Sequence, residues 1–74
     1  MGLDTRILRV MWMLVETSNP YNISKLSDGE IIRQLIQQVQ TISSLSFEDS
    51  QILSKYIGSR TALIRDLAYS KIGS

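Results

Sequence analysis

The amino-acid sequence predicts an all-α domain of three helices. Three segments carry apolar residues at the three- and four-residue spacing of an amphipathic helix, each begins at an N-cap signal, and no segment alternates apolar and polar residues as a strand would. The predicted helices cover residues of about 4–17, 28–42 and 47–70. A chain of 74 residues has room for one core, so residues 1–74 are predicted to form a single domain.

The first predicted helix has an unusually wide apolar face. Asp4 is its predicted N-cap, and Pro20 ends the segment because a proline disfavours helical geometry at Asn19. The chain from 20 to 26 is then predicted to be an ordered loop. The residues of the helix face are Ile7, Leu8, Val10, Met11, Trp12, Leu14 and Val15, and the loop residues expected on the core are Tyr21, Ile23 and Leu26.

The second predicted helix has the strongest start signal in the chain. Ser27 and Glu30 form a capping box, in which each side chain accepts a hydrogen bond from the backbone amide of the other residue. The helix is expected to end at Ser43 and Ser44, whose hydroxyl groups compete for backbone hydrogen bonds. Its apolar stripe consists of Ile32, Leu35, Ile36, Val39 and Ile42.

The third predicted helix begins at the N-cap Ser46 and contains Gly58. At 100° per residue, the apolar residues before and after Gly58 fall in the same arc of about 160°. We therefore predict one continuous helix; the alternative is a helix that ends at Gly58 and a fourth that starts near Ser59. The two apolar groups are Ile52, Leu53, Tyr56 and Ile57, and Leu63, Ile64, Leu67 and Ala68.

Composition argues against an enzyme. The chain has no histidine and no cysteine, which removes imidazole and thiolate metal ligands and every pair of a nucleophile with histidine. The close acidic pairs, at 28 and 30 and at 48 and 49, lie in first turns of helices, where capping and the helix dipole account for them. We predict a protein without catalytic, cofactor-binding or metal-binding residues.

Apolar surface and one charge indicate protein interaction. Arg60 falls in the middle of the apolar stripe of the third helix, where a charge needs a partner or solvent. Within one chain, its guanidinium would extend to solvent or pair with an acidic residue such as Asp49 or Glu30. The alternative is that this part of the stripe faces a second chain. The wide face of the first helix exceeds what two neighbouring helices cover, which predicts a protein partner and a homodimer. The predicted interaction residues are Met11, Trp12, Leu14, Val15, Tyr56, Arg60, Leu63 and Leu67.

Two other functions remain as alternatives. The first is a small DNA-binding regulator with Arg60, Thr61 and Arg65 on a recognition helix, which the net charge of +1 and the apolar stripe both disfavour. The second is a minor helical subunit of a larger assembly. No apolar run exceeds six residues, whereas a bilayer span needs about 20, so the expected location is the cytoplasm, without a membrane span.

The spacing also resembles a known family. The pattern Ile31-Ile32-x-x-Leu35-Ile36, the break Thr-Ile-Ser-Ser at 41–44 and the longer helix that follows are similar to the small bacterial connector proteins of the biofilm and acid-resistance regulator family. This resemblance, over residues of about 10–61, implies a helical dimer that acts on two-component signalling and gene regulation. The helical segment after Thr61 departs from that family. A shorter stretch, at 25–28 and in the hairpin after it, resembles the sporulation checkpoint inhibitor of histidine kinases.

Overall fold

The computed structural model describes residues 4–73, and this part of the chain is all-α. It contains five helices rather than the three predicted. The helices are α1 (Thr5–Thr17), α2 (Pro20–Lys25), α3 (Asp28–Ile42), α4 (Phe47–Gly58) and α5 (Thr61–Gly73).

The predicted helix starts are confirmed by their capping hydrogen bonds. The Asp4 side chain accepts from the amide of Arg6, and the Ser46 hydroxyl accepts from the amide of Asp49. At α3, the Ser27 hydroxyl accepts from the amide of Glu30 over 3.3 Å while the Glu30 carboxylate accepts from the amide of Ser27 over 3.0 Å. Side chains within four residues supply these acceptors, which is why the sequence pattern identifies them.

The segment predicted as a loop is instead a short helix, α2. Asn19 is extended and its side chain accepts from the amide of Tyr21, so it is an N-cap, and Pro20 occupies the first helical position. Proline suits that position because its missing N–H has no partner there and its φ is already helical. Ile23 and Leu26 contact the core as predicted, whereas Tyr21 is exposed, so that part of the prediction is wrong.

The prediction of one long third helix is also wrong, because the helix is interrupted at Ser59 and Arg60. The amide of Ser59 bonds back to the carbonyls of Lys55 and Tyr56, and the amide of Arg60 bonds to Ile57. These bonds close a tight turn, after which α5 packs against α2. The alternative of two helices that meet near Gly58 is therefore correct.

Side chains of three other helices, α3, α4 and α5, contact α1. α1 packs against α3, its Trp12 contacts α4, and its Val15 lines a cavity of about 10 Å³ with Ile64 and Ala68 of α5. The described residues span 37 × 19 × 19 Å, and none of their helices is long and apolar enough to cross a bilayer. The buried apolar side chains are Met11, Val15, Ile23, Ile31, Leu35, Val39, Leu53, Ile57, Ile64 and Ala68.

Candidate interaction surface

Two aromatic rings connect α1 to α4. The indole Nε1 of Trp12 donates to the hydroxyl of Tyr56 over 3.0 Å, and the ring centroids are 6.4 Å apart in an edge-to-face arrangement. Both side chains are half-buried and pack against the core. Because the hydrogen bond satisfies the polar end of each ring, the pair is fixed in one orientation.

Arg60 extends this pair at the turn after α4. Its guanidinium carbon lies 5.1 Å from the centre of the Tyr56 ring, a cation–π contact, and its NH1 donates to the hydroxyl of Ser59. Arg60 is exposed and forms no ion pair with any residue from 4 to 73, so of the alternatives for its guanidinium, extension to solvent is observed and pairing with Asp49 or Glu30 is not. Its exposed charge is held by an aromatic ring instead.

Two exposed leucines follow Arg60 on α5. Leu63 is 46% exposed and Leu67, one turn later, is 39% exposed. Leu67 lines the same small cavity as Val15, which lies one turn after Trp12 on α1. Contacts join Trp12, Tyr56 and Arg60, and Leu63 and Leu67 are exposed in the first two turns of the helix that follows. We refer to these five predicted residues together as the Trp12 surface.

Three of the predicted interaction residues do not belong to this surface. Met11 and Val15 are core residues, 0% and 4% exposed, so neither side chain is available to a partner. Leu14 is 200° from Trp12 around α1 and lies on the other edge of its buried face. The prediction assigned four residues of the first helix to an interface, but the helices around α1 bury two of them, Met11 and Val15.

The residues proposed for a recognition helix are not presented together. Thr61 is 6% exposed, and Arg65 is held at the junction of α2 and α3. Its NH2 donates to the carbonyl of Leu26 over 2.7 Å and lies 2.8 Å from a carboxylate oxygen of Asp28. Of the three side chains, Arg60 alone points to solvent, which removes the geometric basis for that arrangement.

The carboxylates of the first helical turns act as structural acceptors. Hydrogen bonds from the backbone and side chain of Ser27 lower the pKa of Glu30, and the backbone amide and guanidinium of Arg6 lower the pKa of Asp4. Both shifts favour the ionised form that caps a helix, rather than the protonated form that a general acid requires.

The concave features found among residues 4–73 are either too small or too open to enclose a ligand. The cavity between α1 and α5 and a similar one beside Ile31 and Leu35 are each about 10 Å³, the size of one water molecule. A larger depression of about 420 Å³ along α3 is open and lined mostly by polar side chains such as Gln34 and Gln37. Within residues 4–73, no group of three or more acidic side chains is placed to hold a metal ion.

Two exposed apolar residues were not predicted from the sequence. Phe47 is 79% exposed at the start of α4, and Ile42 is exposed at the end of α3. The sequence did contain an indication that Phe47 is exposed, because Phe47 falls outside the apolar stripe that contains Leu53 and Ile57. Ile42 was assigned to the core stripe of its helix, but α3 ends there and no neighbouring helix covers it.

Comparison with known proteins gives no family assignment. No protein-family model, curated protein or solved structure matches the chain.

Proposed function

We propose that this protein is a small, non-enzymatic regulatory or adaptor protein of the cytoplasm. It binds a protein partner, and a second copy of itself, through the Trp12 surface. The observation that supports this proposal is that two exposed leucines, Leu63 and Leu67, follow Arg60 on α5, while Arg60 itself is held in a fixed group with a tryptophan and a tyrosine.

The composition of the surface suits protein binding. Tryptophan, tyrosine and arginine are the residues most enriched where truncation weakens an interface most. Here the Trp12 ring, the Tyr56 ring and the Arg60 guanidinium are already held together, so a partner does not have to order them on binding. The leucines supply apolar area next to them, which a partner would remove from water.

The resemblance to bacterial connector proteins supports one class of partner. We propose that the partner is a protein of two-component signalling, because the resemblance rests on the hairpin of α3 and α4 and implies that role. The helical segment beyond Thr61, now seen as α5, contributes Leu63 and Leu67 and distinguishes this surface from anything that the resemblance implies.

Capture of the partner from the native cell tests the proposal. Leu63→Gln removes one apolar side chain of the Trp12 surface, and Met13→Gln is the matched control. Met13 is 48% exposed, close to the 46% of Leu63, but it lies on the side of α1 opposite the buried face. We expect a protein that binds the unmodified chain and Met13→Gln but is lost with Leu63→Gln; binding that is equal for all three chains would contradict the proposal.

Salt dependence separates this function from nucleic-acid binding. Affinity for a protein held by apolar contacts should change little between low and moderate salt, whereas affinity for nucleic acid falls steeply as counterions compete. The self-association is measured by sedimentation equilibrium of the unmodified chain. A single species near 8.4 kDa at all concentrations would exclude the homodimer.

A further inference from the structure

The start of α4 presents a large apolar side chain beside acidic ones. Phe47 is 79% exposed, the largest exposed fraction among the large apolar side chains of residues 4–73. Glu48 is exposed as well, and neither Glu48 nor Asp49 forms an ion pair with any residue in that range. The helix dipole accounts for acidic residues in a first turn, but it does not account for an aromatic ring left mostly in water. We refer to Phe47 and Glu48 as the Phe47 patch.

The other end of α4 presents the opposite charge beside apolar side chains. The Arg60 guanidinium is held on the Tyr56 ring, exposed, and has no carboxylate partner in the part of the chain that the structure describes. The carbonyl of Arg60 accepts from the amide of Ile64, so α5 begins there and the exposed Leu63 lies in its first turn. This end of α4 therefore combines a cation with apolar area, as the Phe47 patch combines an anion with apolar area.

The two complementary surfaces lie on opposite sides of α4. Phe47 and Tyr56 belong to the same helix and are nine residues apart. In an α-helix that spacing corresponds to about 14 Å along the axis and half a turn around it. Since Tyr56 holds Arg60, the Phe47 patch points away from the cation of its own chain. A carboxylate of the patch can meet an Arg60 guanidinium when that arginine belongs to another copy.

We propose that the Phe47 patch of one copy docks on the Trp12 surface of the next copy. Phe47 packs against Leu63 and Leu67, and Glu48 lies opposite Arg60. Removal of the apolar side chains from water supplies the affinity, and the opposite charges fix the register. The contact joins two different surfaces, so copies add head to tail instead of forming a two-fold pair. The proposal rests on the proposed function, because it uses the Trp12 surface and specifies what a second copy presents to it.

Complementation between two blocked variants tests the contact. Phe47→Gln removes the docking ring and keeps the Trp12 surface, whereas Leu63→Gln damages that surface and keeps the Phe47 patch. In sedimentation equilibrium, we expect the mean mass of the unmodified chain to rise with concentration above the mass of two chains. The dissociation constant of each variant alone should rise at least about tenfold. An equimolar mixture retains one intact junction between unlike chains, so it should form a one-to-one dimer, with the unmodified dissociation constant, that grows no further.

A two-fold pair that uses the Trp12 surface alone predicts different results. In that case Phe47→Gln would associate like the unmodified chain, and mixing it with Leu63→Gln would restore nothing. Either result overturns the proposal, and so does a mean mass of the unmodified chain that stops at one or two chains. Tyr21→Gln is the matched control, because Tyr21 is an aromatic residue, 57% exposed, on α2. An equal loss of association with Tyr21→Gln and Phe47→Gln would also overturn the contact.

Charge reversal supplies an independent measurement of the register. Glu48→Lys or Arg60→Glu alone places like charges opposite each other between copies, so each should raise the dissociation constant about fivefold at low salt. Both replacements in the same chain restore opposite charges at every junction. We expect the double variant to return to within about twofold of the unmodified chain, and a double variant that associates no better than the weaker single variant would overturn the contact.

The failure of this contact is distinguishable from the failure of the proposed function. Phe47→Gln leaves the Trp12 surface unchanged, so loss of partner capture by this variant and by the unmodified chain alike would count against the proposed function. Failed complementation between Phe47→Gln and Leu63→Gln counts against the head-to-tail contact alone.

Discussion

The indole Nε1 of Trp12 lies 3.0 Å from the hydroxyl oxygen of Tyr56, and the planes of the two rings are 87° apart. This is the direct contact between α1 and α4, and Trp12 is the single tryptophan of the chain. Its fluorescence therefore reports on the contact.

Tyr56→Phe should lower the free energy of unfolding by about 0.5–1.5 kcal/mol, because it removes one partly buried hydrogen bond and keeps the ring. Denaturant unfolding followed by Trp12 fluorescence measures the change. Tyr69→Phe is the control, since Tyr69 is exposed on α5 and should change stability by less than about 0.5 kcal/mol. Equal effects of the two replacements would show that the Trp12–Tyr56 bond adds nothing.

Ser27→Ala should lower the free energy of unfolding by about 0.5–2 kcal/mol, because the amide of Glu30 loses its acceptor at the start of α3. Ser44→Ala, in the exposed connection between α3 and α4, is the matched control. Thermal unfolding of both variants measures the difference. An unchanged midpoint for Ser27→Ala would contradict the role of the capping box.

The pKa of Glu30 predicts a dependence of stability on acid. The folded state lowers this pKa below its ordinary value of about 4.3, so the ionised form stabilises the fold. That contribution is complete above the ordinary value and is lost as the pH falls through the lowered pKa. Glu30→Gln should flatten the decline of the free energy of unfolding below about pH 4.3, which urea unfolding at several pH values measures. An identical decline in both proteins would disagree with this assignment.

Gly58→Ala should raise the free energy of unfolding by about 0.5–1 kcal/mol. Gly58 has no positive φ, and an added Cβ would lie 3.5 Å from Cδ1 of Ile32, which is ordinary contact. Alanine therefore fits the end of α4 and restricts the unfolded chain. Denaturant unfolding at low protein concentration measures this effect apart from self-association, and a loss of stability would mean that the site does not accept a side chain.

Arg65→Met should cost more stability than Asp28→Asn. The side chain of Asp28 is 61% exposed, so its ion pair with Arg65 contributes at most about 1 kcal/mol. The bond from Arg65 to the carbonyl of Leu26 is partly buried and charged, and its loss should cost about 1.5–3 kcal/mol. Urea unfolding of the two variants ranks the contacts, and a larger loss for Asp28→Asn would reverse this order.

Local signals determined much of the fold from the sequence alone. The limits of α3 agree with the prediction. At its start, Ser27 and Glu30 each accept a bond from the other's amide, and at its end Ser43 is extended while its own amide bonds to Val39. α2 was missed although its signal was local, since Asn19 before Pro20 is an N-cap followed by a favoured first position. Within the predicted interaction set, the sequence did not show which residues the other helices cover, since Met11 and Val15 are buried while Leu63 and Leu67 are exposed.

The bend at Ser59 and Arg60 was decided by tertiary structure. An apolar stripe in phase is compatible with both a continuous and an interrupted helix. At the interruption the amide of Arg60 bonds to the carbonyl of Ile57, three residues earlier, instead of to that of Tyr56. Burying the Ile64 side chain between α1, α2 and α5 alone contributes about 1.5–3 kcal/mol, and Ala68 adds to it. That burial depends on residues some 40 positions earlier in the chain. No local sequence pattern predicts this burial. The same tertiary packing places Met11 and Val15 in the core while Leu63 and Leu67 remain exposed.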